Sequence, residues 1–205
     1  MDNTLSHALE HRDDEGAKMG MWIFIFTELL LFGGLFLVYA VFRAKYSDSF
    51  HIAALELDAF VGTLNTVILL ISSMTLAMSI TAVQKQDKRK AIGLLILTLL
   101  LGLAFMVNKY FEWSGKISHD LYPGSEAMLN NEHGEILFFG LYYFMTGLHA
   151  LHVLIGMVLL VVVLFKVSSG KIHSENYILH ENSGLYWHLV DFIWIFLFPL
   201  LYLVT

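Results

Sequence analysis

The sequence predicts an all-α fold, a bundle of five transmembrane helices, on three observations. The 205-residue chain is 57% hydrophobic and only 15% charged, against about half and about a quarter in an ordinary soluble domain. Its mean hydropathy is +0.66. Five separate stretches each reach the roughly 20 apolar residues that cross a hydrocarbon core about 30 Å thick.

The spans run over residues 19–42, 60–83, 91–113, 136–165 and 184–204. Polar connections separate them, the tightest being 84–90 (QKQDKRK) and the longest 114–135. Two spans joined by so short a turn must be antiparallel neighbours. The two prolines are Pro123, in the longest loop, and Pro199, near the end of the last span, so four of the five helices run unbroken. No internal repeat or second domain is visible, and residues 19–205 read as one five-helix domain.

Residues 1–18 are polar and acidic and lack the basic region and short apolar run of a cleavable signal. They read as a cytoplasmic N-terminal tail. Charge placement gives the orientation, because cytoplasmic loops retain Lys and Arg. Arg12, Lys18, Lys85, Lys88, Arg89, Lys90, Lys166 and Lys171 fall on one side; Arg43, Lys45 and Lys116 fall on the other. The N-terminus is thus expected in the cytoplasm and the C-terminus outside, with the acidic loop of Asp120, Glu126, Glu132 and Glu135 also outside. Without cysteine the chain can have no disulfide, thiolate metal site, iron–sulfur cluster or thiol nucleophile. The composition gives no sign of a nucleic-acid partner.

An ionisable group at mid-bilayer costs about 2.5–3.5 kcal/mol, so each needs a partner or a purpose. Glu28 lies about 15 Å into the first span at 1.5 Å per residue, and there it must be paired or protonated; packing, proton relay and ion coordination are its three readings, packing foremost. Lys109 and Glu112, three apart in the third span, read as an ion pair. His188 and Asp191, also three apart, stand at the expected start of the last span. There an Asp can set the tautomer of a His; a proton-handling pair and an anchor at the membrane interface are the two readings, and with Tyr186, Trp187 and Trp194 beside it the anchor is foremost.

His149 and His152 share one face of the fourth span. A bare HxxH without a third ligand is weak evidence for a metal, and packing or hydrogen bonding between helices is the simpler reading. A haem between two histidines needs both at one depth. His149 and His152 lie roughly 20–25 Å from the cytoplasmic face and His188 about 6 Å from it, which leaves no second ligand. Gly33, Gly34, Gly102, Gly140, Gly147 and Gly156, with Ser72 and Ser73, would allow close helix approach, and the fourth span reads as the central packing element. Phe138, Phe139, Tyr142, Tyr143 and Phe144 could face a partner or lipid.

Five strings, one in each span, resemble the subunit III family of haem-copper oxidases: WIFIFTELLLFGGLF around Glu28, LNTVILLISS from Leu64, FEW at 111–113, TGLHALHVLIG from Thr146, and YWHLVDFIWIF from Tyr186. Larger members of that family have seven spans, and this chain resembles the shorter bacterial form without the first two. The resemblance implies a subunit with no catalytic or metal residues and no cofactor of its own. It would pack beside subunits I and II, which hold the haems and coppers, bind phospholipid, and sustain proton uptake by subunit I. Glu28, Glu112, His149, His152, His188, Asp191 and Trp194 would be lipid-contact or helix-packing positions. The complex implied is a proton-pumping cytochrome c oxidase of a bacterial inner membrane, serving aerobic respiration, with cytochrome c as its electron donor. A quinol oxidase and a nitric oxide reductase-associated protein share the pattern. An independent transporter or proton channel would show broken helices around a midplane site, which the uninterrupted spans do not suggest.

Overall fold

A chain crossing hydrocarbon satisfies its backbone polar groups by coiling, and the computed structural model contains five helices long and apolar enough to span. It describes residues 14–125, 128 and 131–203. Residues 1–13 of the tail, Arg12 among them, and also Glu126 and Val204 lie outside the described residues. In chain order the helices are α1 (Asp14–Lys45), α2 (Ser47–Leu55), α3 (Ala59–Gln84), α4 (Lys88–Ser118), α5 (His133–Ser168) and α6 (Ile178–Phe198), and α6 passes into a π-helical turn, Pro199–Leu203. Each predicted span is present, extended at its polar ends. The short α2 was not expected; it tucks Phe50, Ala53 and Ala54 against the adjoining ends of α1 and α5. Among the described residues there is no strand, only a bridge between His173 and Asn176.

Local chemistry sets the helix starts. Asp58 caps α3, its Oδ1 accepting from the amides of Phe60 at 2.8 Å and Val61 at 3.3 Å. Asp87 caps α4 through the Lys90 amide at 3.2 Å. That amide and then the Lys90 ammonium hold the Asp87 carboxyl below the usual carboxylate range. Between these helices Gln86 adopts φ 62°, the left-handed conformation that lets the chain reverse in so few residues.

The α3–α4 hairpin and α1 flank a central pair, α5 and α6. α6, not α5, is the most enclosed: 56% of its apolar stretch is buried, against 33% for α5 and 6% for α1. The reason is where bulk and space lie. Trp187 of α6 fits into hollows left by two glycines, since a Cβ at Gly102 would come within 2.9 Å of its ring and one at Gly156 within 2.8 Å. Gly33, Gly34 and Gly140, by contrast, have nothing within 4 Å, so only some of the glycines serve close approach within the chain. α1 touches the bundle along a narrow seam of Ile25, Phe32 and Tyr39. Tyr39 donates to the Leu200 carbonyl at 2.7 Å, tying α1 to the π-helical turn. The aromatic run also divides: Phe138, Phe139 and Tyr142 are buried, while Phe144 is exposed.

Gly156→Leu should therefore drive a side chain into Trp187 and lower stability by about 1–3 kcal/mol. Gly33→Ala, with open space at its Cβ, should be neutral or stabilising by up to about 1 kcal/mol. Thermal unfolding of the two variants in detergent checks this contrast, and equal losses would contradict the packing described.

Candidate functional site

The intramembrane polar groups gather into three places. The first is built on α4, where a spacing of three residues puts Lys109 and Glu112 on one face. Lys109 Nζ lies 3.1 Å from both carboxyl oxygens of Glu112, and the two side chains are 3% and 5% exposed. The ammonium also donates to the hydroxyls of Tyr202 at 2.6 Å and Tyr142 at 3.3 Å. Both hydroxyls in turn donate to Glu112 Oε1, that of Tyr202 at 2.5 Å. The rings of Tyr142, Trp194 and Tyr202 surround Nζ at 5.0, 5.2 and 5.3 Å. A buried ion pair is tolerable only when its remaining donors and acceptors are also met, and here hydroxyls and ring faces meet them. A cavity of about 580 Å³, lined by Glu56, Asp58, Asn108, Lys116 and His119, reaches Glu112 from this end of the bundle.

The second place joins α1 to α5. His152 donates from Nδ1 to the Leu148 carbonyl at 2.8 Å, and its Nε2 lies 3.0 Å from Glu28 Oε2. A carbonyl can only accept, so Nδ1 carries hydrogen. The contact between Nε2 and Oε2 then holds a single proton, on the carboxyl or on the imidazole, and in both cases the pair is neutral overall. Phe32 packs edge-on and Tyr186 stacks on the His152 ring. His149 points elsewhere. It is fully buried between Phe105 and Trp194, at ring distances of 5.6 and 5.1 Å, and neither nitrogen has a hydrogen-bond partner among the described residues. The Trp194 ring, beside both Lys109 Nζ and His149, connects the Lys109 cluster to His149, and its Nε1 donates to Thr66 Oγ1 at 3.0 Å.

The third place lies between α3 and α6. α6 begins at Ile178 and not at residue 184, so His188 sits about 15 Å from the helix start. Its Nδ1 contacts Ser73 Oγ at 2.5 Å, not Asp191. Asp191 is buried behind it; Ser73 is near, but neither carboxyl oxygen has a bond of hydrogen-bonding geometry. The same early start brings in His180, fully buried and 2.9 Å from Ser79 Oγ. The predicted depth gap between the histidines also shrinks. Trp187 packs on Gly156 and Trp194 on His149, which puts His188 about 9 Å along the axis from His149. Direction keeps them apart, since His188 is held by α3 and His149 by rings of α4 and α6. Among the described residues no group of three or more His, Cys, Asp or Glu is placed to hold a metal ion.

Tyr142 and Tyr202 around the ion pair, and Ser73 and Ser79 opposite the histidines, are participants that the sequence did not single out as ligands. Lys116 was read as a loop charge; it lies in the last turn of α4, buried, donating to the Glu56 carbonyl at 2.7 Å. These contacts depend on how helices are rotated against each other, and no signal within one helix reports that.

The chain belongs to the cytochrome c oxidase subunit III family, whose sequence model matches residues 2–205. It is 32% identical over 202 residues to a cytochrome c oxidase subunit 3 from Thermostichus vulcanus, covering 98% of this chain and 92% of that one. It is 26% identical to a cytochrome bo(3) ubiquinol oxidase subunit 3 from Pseudomonas aeruginosa, covering 98% and 91%. A haem-copper oxidase subunit I+III from Aeropyrum pernix matches at 30% identity over 91% of this chain and 22% of its own length. The fold and the family together make this a multi-pass membrane protein, a subunit III of a haem-copper oxidase complex, in a family that serves both cytochrome c and quinol oxidases.

Lys109→Met should strand Glu112 in the bundle and cost about 3–5 kcal/mol, and adding Glu112→Leu should recover most of it. A double-mutant cycle of unfolding in detergent measures the coupling; additive losses would show that the pair acts independently.

Proposed function

We propose that this chain is the subunit III of a proton-pumping cytochrome c oxidase in a bacterial cytoplasmic membrane. It carries no redox centre, binds phospholipid, and supports assembly and sustained proton uptake by subunit I. The observation that carries the reading is the end-to-end match, at 32% identity, to a cytochrome c oxidase subunit 3. The arrangement of the histidines supports a role without ligation: His152 is taken by Leu148 and Glu28, His180 by Ser79, His188 by Ser73, and His149 is packed between rings. The relative in which subunits I and III are one chain supports subunit I as a neighbour. Positive charge on the connections 84–90 and 166–171 supports a cytoplasmic N-terminus and an outer C-terminus. The match to a ubiquinol oxidase subunit 3 favours one second reading, the same role beside a quinol-oxidising subunit pair.

Purification from native membranes through a tag on this chain tests the proposal. It should bring down subunits I and II with cytochrome c oxidation. Quinol oxidation alone would support the second reading, and the absence of oxidase subunits would overturn both.

Within the complex, Glu28→Gln should leave assembly and the initial rate of O2 reduction intact and shorten activity over many turnovers. The amide can still donate to His152 Nε2, so the α1–α5 contact survives while the exchangeable proton of the pair does not. Glu28→Leu, which leaves Nε2 unpaired, should also loosen α1. Initial rates and turnover-dependent inactivation measured on the same preparations decide it. Loss of most initial activity in an assembled Glu28→Gln complex would make Glu28 a direct proton relay.

A further inference from the structure

Many polar side chains of the spans are turned inward, and the exposed Thr27, Thr63 and Thr81 bond to carbonyls of their own helices. Thr75 and Thr98 bond to each other, Ser72 receives Trp187 Nε1, Ser79 meets His180, and Lys109 and Glu112 are enclosed. His188 and Ser73 depart from this. Both are only half-buried. Each lies near mid-helix, Ser73 about 21 Å and His188 about 15 Å from the starts of α3 and α6. Nδ1 of His188 is occupied by Ser73 at 2.5 Å. Its Nε2 has no hydrogen bond among the described residues and is not enclosed. The surface one or two turns away is open and apolar: Leu70 and Ala77 on α3, Phe192 and Ile195 on α6. Behind the pair lies the Asp191 carboxyl, buried and without a hydrogen bond.

Hydrocarbon is a poor cover for such a surface. An imidazole nitrogen facing acyl chains forgoes the hydrogen bond it would have in water, and in lipid nothing replaces it. The complementary surface is an apolar helix that carries one hydrogen-bonding side chain at the same depth, because interhelical hydrogen bonds hold membrane helices together. We propose that the α3–α6 face centred on His188 and Ser73 seats a transmembrane helix of another oxidase subunit, which hydrogen-bonds His188 Nε2. The inference rests on the reading of this chain as an oxidase subunit and assigns the face by which it docks.

The chain has no cysteine, and Phe192 is a natural position for a photoreactive phenylalanine analogue. Placed there in the intact complex, the probe should crosslink to another oxidase subunit upon illumination. Capture of lipid only, in a complex that still contains subunits I and II, overturns the docking face and leaves the subunit reading standing. A chain that co-purifies with no oxidase subunit overturns both. As a second measurement, His188→Leu should weaken retention of this chain in the detergent-solubilised complex about tenfold, the worth of one interhelical hydrogen bond. His188→Gln should restore it, which a loss of folding would not allow. Equal retention of the Leu variant and the unaltered chain overturns the hydrogen bond.

Discussion

Lys109 and Glu112 share one turn of α4 in surroundings that allow 3% and 5% exposure, and the bundle is organised around them. Their mutual attraction does not by itself offset the loss of water around two charges. The remainder comes from other helices: Tyr142 from α5, Tyr202 from the π-helical turn, and Trp194 from α6. Each of these has to arrive at one register and rotation. The ion pair is therefore less a source of stability than a constraint on how α4, α5 and α6 can meet. The turn at Pro199 fits the same logic. Pro199 cannot continue an ordinary hydrogen-bond ladder, and the widened turn carries Tyr202 to the ammonium while Tyr39 takes up the Leu200 carbonyl.

At the level of Trp187 the same helices are matched by shape. Without a hydrophobic effect between them, membrane helices associate through packing and hydrogen bonds. Trp187 combines the two, with its ring in the hollows at Gly102 and Gly156 and its Nε1 on Ser72. One residue of α6 thus engages α3, α4 and α5 at once, which explains why α6 and not the longer α5 is the most enclosed helix. α1, held by a narrow seam and by Glu28, is left largely uncovered.

Features contained within one helix were legible in the sequence, and features that arise between helices were not. The five spans follow from the length of hydrocarbon that has to be crossed. The Lys109–Glu112 contact follows from spacing on a single helix. The partners of those residues do not follow, because helices this apolar on every side give no periodic signal of which face turns inward. The start of α6 lies outside the apolar stretch for a related reason. Hydropathy ends where the hydrocarbon ends, but the helix runs on through His180, Asn182 and Ser183, which find acceptors in Ser79, the Ala17 carbonyl and the Leu179 carbonyl. The short α2 has too little apolar length to register at all.

How completely each polar group is closed off separates scaffold from function. The Lys109 cluster meets its own donors and acceptors, and a change there disturbs folding before it disturbs anything else. Glu28 and His152 are different, since they hold one proton between two groups that are each slightly exposed, 13% and 10%. A neutral pair of that kind can pass its proton between partners without creating a net charge in the membrane. His188 goes one step further and leaves a nitrogen unpaired at the surface. Internal packing accounts for the first arrangement, whereas the other two leave polar groups that the chain does not fully enclose.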